Sequence, residues 1–239
     1  IVHIDPRGGH NRKTFNKNFF KSWSSGMAYV LGLIYADGAV EDVRKSSRTC
    51  YLTISSNDKS LLEQVRKTLS SEHTIYSRKP RIVKFGSGKS YLCRESFNIR
   101  IGNKEMFNDL INLGLTPRKS LHMRFPKIPP IYFSHFLRGY FDGDGCVTIK
   151  VDKGHIAKEI RVVFSSGCRK FLDTLSENIC SYLQIKSKHA NRNNEAFNLA
   201  YRKRDGLKIL SFMYKDLDKA PFLDRKYAIY KNYLGASQT

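Results

Sequence analysis

The sequence predicts an α+β fold built from two pseudo-symmetric copies of one unit: a helix, two strands, a helix, two strands and one or two closing helices. Three observations carry that expectation. Two apolar stretches, "YVLGLIYADG" and "HFLRGYFDGDG", both end in Asp-Gly, and their acids Asp37 and Asp144 stand 107 residues apart. "ISSNDKSLLEQV" (54–65) and "FSSGCRKFLDTL" (164–175) are 110 apart and share a pattern of apolar residue, Ser-Ser, then amphipathic helix. "LTPRKS" (115–120) and "FLDRKY" (222–227) place Arg-Lys 107 apart again, so Asp37 to Lys119 and Asp144 to Lys226 are both steps of 82. Landmarks held in register over some 100 residues mean a repeat.

Residues 1–20 are polar and basic and are expected to form a loose arm. The first copy, 21–121, opens with a helix over about 26–37. "AVEDVRK" and "SRTCYLTISS" follow as strands around the turn-prone Ser46-Ser47. A helix covers about 58–70. "TIYSRKPRIVKFG" and "SYLCRESFNIRI" then pair around Gly86-Ser87-Gly88, and "NKEMFNDLINLG" closes as a helix capped by Asn103. "HMRFPKIPP" (122–130) carries three prolines, which discourage regular structure, and reads as the linker. The second copy, 131–239, repeats the order with strands "CVTIKVD" and "HIAKEIRVVFSS", a helix over about 168–183, strands "KSKHANRN" and "EAFNLAYRKR", and terminal helices.

Charge sets the class of partner. Forty-two Lys and Arg against twenty-one Asp and Glu give a net charge of +21, which points to a polyanion. No run approaches the roughly 18 apolar residues of a membrane span, and no signal-peptide pattern opens the chain. Five cysteines without a C-x-x-C argue for a reducing compartment and against a disulfide framework or structural zinc, and seven scattered histidines offer no metal cluster. The expected setting is intracellular, a bacterial cytoplasm or an organelle matrix. A monomer with no obligate protein partner and no membrane association is expected.

Strand alternation shows where the charge goes. Leu52 and Ile54, and Phe97, Ile99 and Ile101, would face the helices, leaving a polar, basic outer face. Residues 73–104 carry eight Lys or Arg against Glu95 alone, and residues 186–204 carry six against Glu195 alone. Such a face suits the major groove, where Arg, Lys, Asn and Thr read base edges. Candidate duplex-binding residues in the first copy are Lys45, Arg48, Tyr51, Thr53, Ser55, Arg78, Arg81, Lys84, Arg94, Asn98 and Arg100. Those in the second are Thr148, Lys150, Arg161, Lys186, Lys188, Arg192, Asn198 and Arg202.

An Asp-Gly at a helix end is by itself ordinary turn chemistry, with glycine in the left-handed conformation. Two copies in matching contexts ask for more. Each helix carries small residues at helical spacing: Ala28, Gly32 and Ala36 in one, Gly139 and Gly143 in the other. Glycine costs about 1 kcal/mol inside a helix, so it signals close backbone approach. If the helices pack along these stripes, the repeat brings Asp37 and Asp144 together at their negative dipole ends. Two repelling carboxylates fit a hard divalent cation, above all magnesium. Lys119 and Lys226 could stabilise charge developing on a phosphate.

"VLGLIYADG" and "LRGYFDGDG" resemble the two signature motifs of the LAGLIDADG homing endonucleases in their single-chain form, and the resemblance spans nearly the whole chain. "SSNDKSLLEQV" and "GLTPRKS" also look like segments of that family. The resemblance implies two αββαββα halves packed through the two LAGLIDADG helices. Each half carries a four-stranded antiparallel saddle on double-stranded DNA. It also implies metal-dependent cleavage of both strands of a long asymmetric site, short 3′ overhangs, and mobility of a host intron or intein. It assigns metal-binding acids to Asp37 and Asp144 and active-site lysines to Lys119 and Lys226. Ala36 and Gly143, directly before the acids, complete the candidate metal site. Ser56 and Ser166, where many members have Gln or Asn, are the remaining catalytic candidates. Mg2+ is the expected cofactor, with Mn2+ substituting and Ca2+ binding without supporting cleavage. Tyr35 reads as packing and Asp142 as a helix-end residue rather than a third ligand. An RNA maturase or a DNA-binding regulator on the same scaffold would keep the basic sheets but need neither acid.

Overall fold

The computed structural model describes residues 13–44, 49–84, 88, 90–151 and 158–235. Helix α1 (Ser25–Asp37) starts where the Ser24 hydroxyl accepts from the Met27 amide at 3.1 Å. Every residue from Met27 to Tyr35 is buried, as expected of a helix that is apolar all round. Strands β1 (Gly38–Asp42) and β2 (Cys50–Ser56), helix α2 (Lys59–Thr68), strands β3 (Ile75–Arg78), β4 (Arg81–Lys84), β5 (Ser90–Cys93) and β6 (Ser96–Gly102), and helix α3 (Lys104–Asn112) complete the first copy. The second runs α4 (Phe133–Asp144), β7 (Gly145–Val151), β8 (Lys158–Ser166), α5 (Arg169–Leu183), β9 (Asn191–Asn193), β10 (Ala196–Arg202), α6 (Lys203–Tyr214) and α7 (Asp224–Gly235).

The two main sheets are four-stranded and antiparallel, in the matching orders β1-β2-β6-β3 and β7-β8-β10-β9. Leu52, Ile54, Ile99 and Ile101 are fully buried on one face of the first sheet, and Ile160, Val162, Phe164, Leu199 and Tyr201 on one face of the second. Helices α2 and α3 cover the first apolar face, and α5 and α6 the second. The fold is therefore the repeated α+β unit that the sequence predicts.

Helices α1 and α4 join the copies. A Cβ on Gly32 would lie 2.1 Å from the Phe136 carbonyl oxygen and 2.8 Å from the Tyr140 nitrogen. A Cβ on Gly139 would lie 2.0 Å from the Tyr29 carbonyl oxygen and 3.0 Å from the Leu33 nitrogen. Each glycine thus meets the backbone positions that correspond, across the repeat, to those meeting the other. That reciprocity is the mark of two-fold packing.

Three expectations need correction. Residues 13–20 are not a loose arm: Phe20 is buried, the Asn16 amide donates to the Leu69 carbonyl at 3.0 Å, and Lys13 bonds Thr74. Residues 1–12 lie outside the described residues. The strand expected over 74–86 breaks at Lys79-Pro80, because proline cannot donate to the ladder. Only Asn191–Asn193 pairs in the stretch expected to be a strand from Lys186 onward.

Candidate active site

The α1–α4 contact ends at the two acids. A Cβ on Gly143 would meet the Ala36 Cβ at 2.4 Å and an Asp37 carboxylate oxygen at 3.0 Å, so only glycine lets the helices stay this close there. After each acid the chain turns directly into a strand, through Gly38 (φ −90°) and Gly145 (φ −102°). Neither is left-handed, which corrects the turn reading of Asp-Gly. Glycine is needed because the chain folds back over the last helical turn. A Cβ on Gly38 would lie 2.6 Å from the Ile34 Cα, and one on Gly145 2.4 Å from the Phe141 carbonyl oxygen.

Burial, then the charge of Asp144, push the Asp37 carboxyl up to about 6, while Lys226 and Lys119 pull it down. Asp144 is also raised by burial and opposed by both lysines. The repulsion is mutual, so the two carboxyls titrate as a pair and the charge of one opposes ionisation of the other. Asp37 keeps an exposed side chain, so solvent tempers its shift, but the direction follows from the two neighbouring carboxylates.

Both lysines are buried, and each reaches the end of an acid-bearing helix. Lys119 Nζ donates to the Ala36 carbonyl at 3.1 Å. Lys226 Nζ donates to the carbonyls of Phe141 (2.5 Å), Asp142 (3.0 Å) and Gly145 (2.6 Å). These bonds satisfy carbonyls that a helix end leaves open and place positive charge at the negative end of the dipole. Burial lowers Lys226 to about 8 and lowers Lys119 as well. Among the described residues no ion pair within 4.0 Å joins either lysine to Asp37 or Asp144.

Tyr35 and Asp142 occupy equivalent positions in the two helices and do equivalent work by different chemistry. The Tyr35 hydroxyl donates to the Leu113 carbonyl at 3.0 Å, in the segment leading to Lys119. Asp142 is buried and accepts from the Leu223 amide at 2.9 Å, in the segment leading to Lys226, and from the Tyr29 hydroxyl at 2.7 Å. Burial raises Asp142 to about 6. Arg138, also buried, secures the same approach by donating to the carbonyls of Met213 (2.7 Å), Ala220 (3.0 Å) and Pro221 (3.1 Å). Arg138 and the bonded pairs escaped the sequence reading because their partners lie 75 to 113 residues away.

Ser56 and Ser166 occupy the heads of α2 and α5, where their hydroxyls accept from the amides of Asp58 and Cys168, each at 3.0 Å. Ser166 is buried. Both therefore serve as turn residues at helix starts, and each hydroxyl keeps its own donor hydrogen beyond that bond.

Pairing partners in a sheet project to one face, which sorts the basic residues. Tyr51, Thr53, Ser55, Arg78, Asn98 and Arg100 lie on the face away from the helices in the first sheet, and Thr148, Lys150, Arg161, Asn198 and Arg202 in the second. Arg94 and Lys186 are exposed outside the paired strands. Three candidates fall on the wrong side. Arg81 pairs with Cys93, and Arg192 with Phe197, out of phase with Arg78 and Asn198. Lys188 folds back to bond the Ala200 carbonyl at 3.2 Å, with its ammonium 4.9 Å from the ring of buried Tyr201. Lys45, Arg48 and the Lys84 side chain lie outside the described residues. Two acids that alternation could have placed on the outer faces are Glu41 and Glu159. Glu41 pairs with Arg100 at 2.8 Å, with that guanidinium 4.0 Å over the Tyr51 ring, and Glu159 lies 3.8 Å from Arg202.

The arrangement defines a class: a two-copy α+β protein with two basic sheets and an acid pair where its central helices meet. Comparison with known proteins shows what that class resembles. The LAGLIDADG endonuclease family model matches residues 137–236. The homing endonuclease I-WcaI, bound to its DNA recognition sequence, is similar to this chain with a TM-score of 0.58 at 15% identity, over 95% of each chain. The LAGLIDADG meganuclease I-AabMI, bound to uncleaved DNA, has a TM-score of 0.53 at 15% identity, covering 88% of this chain and 89% of its own. Meganuclease I-SmaMI, bound to uncleaveable DNA, has a TM-score of 0.52 at 14% identity, covering 87% and 88%. No curated protein sequence matches the chain. The second copy thus matches the LAGLIDADG endonuclease family model, and the fold of the whole chain is similar to that of LAGLIDADG homing endonucleases solved with DNA.

Proposed function

We propose that this protein is a site-specific endonuclease. It would bind a long asymmetric duplex DNA across both outer sheet faces and hydrolyse one phosphodiester in each strand, leaving short 3′ overhangs. Such cleavage would promote mobility of its host intron or intein. The observation that carries this reading is the placing of Asp37 and Asp144 at the ends of reciprocally packed helices, beside buried Lys119 and Lys226 and between two basic sheets. A merely DNA- or RNA-binding protein gains nothing from two carboxylates whose ionisation burial and repulsion oppose.

The donor set fits a hard divalent cation. Two carboxylates offer oxygen ligands, and among the described residues no third His, Cys, Asp or Glu joins them. A site so sparse suits Mg2+, which keeps several waters of its own. Asp37 and Asp144 would hold it, and when bound it would neutralise phosphate charge and activate water. Gly143 contributes by its lack of a side chain. The Ala36 carbonyl is already bonded to Lys119, though an acceptor with two lone pairs can take a second partner. The outer faces hold the duplex in register. Lys119 and Lys226 keep positive charge beside the acids without neutralising them in ion pairs.

The test is linearisation of a plasmid carrying a target selected from randomised duplex DNA, with Mg2+, Mn2+ or Ca2+. Cleavage with the first two and binding alone with the third are expected. Tight binding with no cleavage in any metal would favour a regulator, and preferential binding of intron RNA a maturase.

A further inference from the structure

The first copy carries a ribbon that the second lacks among the described residues. Strands β4 and β5 form a two-stranded sheet of their own, yet their register continues that of β3 and β6 without a slip. Arg78 pairs with Ser96, and past the interruption at Lys79-Pro80 and Arg94-Glu95, Ile82 pairs with Leu92. The residue count therefore stays in step through the break, and on that count Ile82 and Leu92 are in phase with the outward Tyr76, Arg78 and Asn98. In the second copy the matching hairpin closes after three pairs, at Asn194 and Glu195.

Ile82 and Leu92 are 66% and 72% exposed, so the fold gains little from either. They form one cross-strand apolar pair in a basic frame. Arg78 and Arg94 flank them, and Glu95, the one acid between residues 75 and 102, is bonded at 2.6 Å by Ser77, whose position alternates to the opposite face. An acidic or apolar protein partner would have no use for the continuity with the outer sheet. Duplex DNA would, because a two-stranded ribbon fits the major groove and thymine presents a methyl group there to apolar side chains.

We propose that the β4–β5 ribbon extends the first copy's grip on duplex DNA beyond its half-site core, and that Ile82 and Leu92 select thymine there through its 5-methyl group. The proposal rests on the duplex-DNA reading given above. Six residues from Lys79 to Lys84 reach about 20 Å, up to about six base pairs at 3.4 Å each. The footprint should therefore be longer on the first copy's side.

The experiment is target selection from randomised duplex DNA, footprinting on the selected site, and replacement of thymine by uracil, which lacks the methyl, at the outer positions. Selection should return thymine there. Each uracil should weaken parent binding in Ca2+ about three- to four-fold, the worth of one buried methyl. The Ile82→Ser/Leu92→Ser double variant should bind thymine and uracil sites alike. It should also match the parent on a duplex trimmed to the core, which shows that it is folded; unequal core binding is met by repeating the uracil comparison with Leu92→Thr alone. Footprints of equal length, no thymine preference, or uracil without effect on the parent would overturn the proposal while leaving duplex binding intact. Failure to bind any duplex would instead overturn the reading on which it rests.

Discussion

Gly32→Ala tests the helix junction on which the site depends. In an exposed helix the change would stabilise by about 1 kcal/mol. Here the new Cβ would sit 2.1 Å from the Phe136 carbonyl oxygen and 2.8 Å from the Tyr140 nitrogen. Ordinary contact begins near 3.4 Å, so α1 and α4 would have to part by roughly an ångström. The obstacle is backbone, and no rotamer change relieves it. Overpacking costs about 1–3 kcal/mol where side chains can move, so a net loss of about 3 kcal/mol or more is expected, lowering Tm by about 6–12 °C for a chain of this size. Gly139→Ala meets the mirror-image contact and should cost the same within about 1 kcal/mol. Gly235→Ala, with nothing within 4 Å, should stay within about 0.5 kcal/mol. Thermal and urea unfolding measure all three. A Gly32→Ala protein as stable as its parent would refute the close junction, and with it the juxtaposition of Asp37 and Asp144.

Asp144→Asn and Asp37→Asn should each show a metal-free Tm equal to or above the parent's, keep DNA affinity in Ca2+, and lose double-strand cleavage in Mg2+; retained cleavage would dismiss the acid pair. Without metal, the carboxyls raised in the fold should make stability fall as pH rises from about 4 to about 6, because they hold protons there that the unfolded chain has lost, while His135, lowered to about 4 by burial, acts in the opposite direction. Chemical denaturation of the parent and of Asp37→Asn across that range isolates the acid's share: the variant should lose part of the fall, and a pH slope equal to the parent's would contradict the raised acid. Lys226→Met should slow cleavage more than it weakens binding and, since three carbonyls lose their donor, also lower Tm; a lowered Tm with an unchanged single-turnover rate would leave Lys226 a helix cap only. Arg78→Ala should weaken binding and reduce the salt slope by about 1, or relax one base position; no change in a salt titration would remove Arg78 from the interface.

What was legible in the sequence is what periodicity encodes. Small residues at helical spacing located the α1–α4 contact, and a fixed step of 82 residues put a lysine beside each acid. Strand alternation sorted the outer from the inner residues wherever a strand was long. It failed at Arg81 and Arg192, where short pairings let a basic residue lie out of phase, and at Lys188, which never enters a strand. Ser56 and Ser166 stood out as a repeated pair, but a Ser-Ser before a helix suits capping as well as chemistry. The Gly38 and Gly145 backbones were misjudged. Local turn rules cannot see that the chain folds back over the preceding helical turn.

Tyr35 and Asp142 show how the two copies share one design while differing in sequence. A donor hydroxyl at one position and an acceptor carboxylate at its equivalent cannot bond the same backbone group, and they do not. One takes a carbonyl ahead of Lys119, the other an amide ahead of Lys226. Each nevertheless ties the strand-proximal end of a central helix to the segment that delivers a lysine. The acids cannot be held at fixed separation unless the helices are, and the lysines cannot be buried beside them unless those segments are tied down. The site is therefore supported from two sides by unrelated chemistry, so loss of either tie should act on one lysine and leave the other copy's support in place.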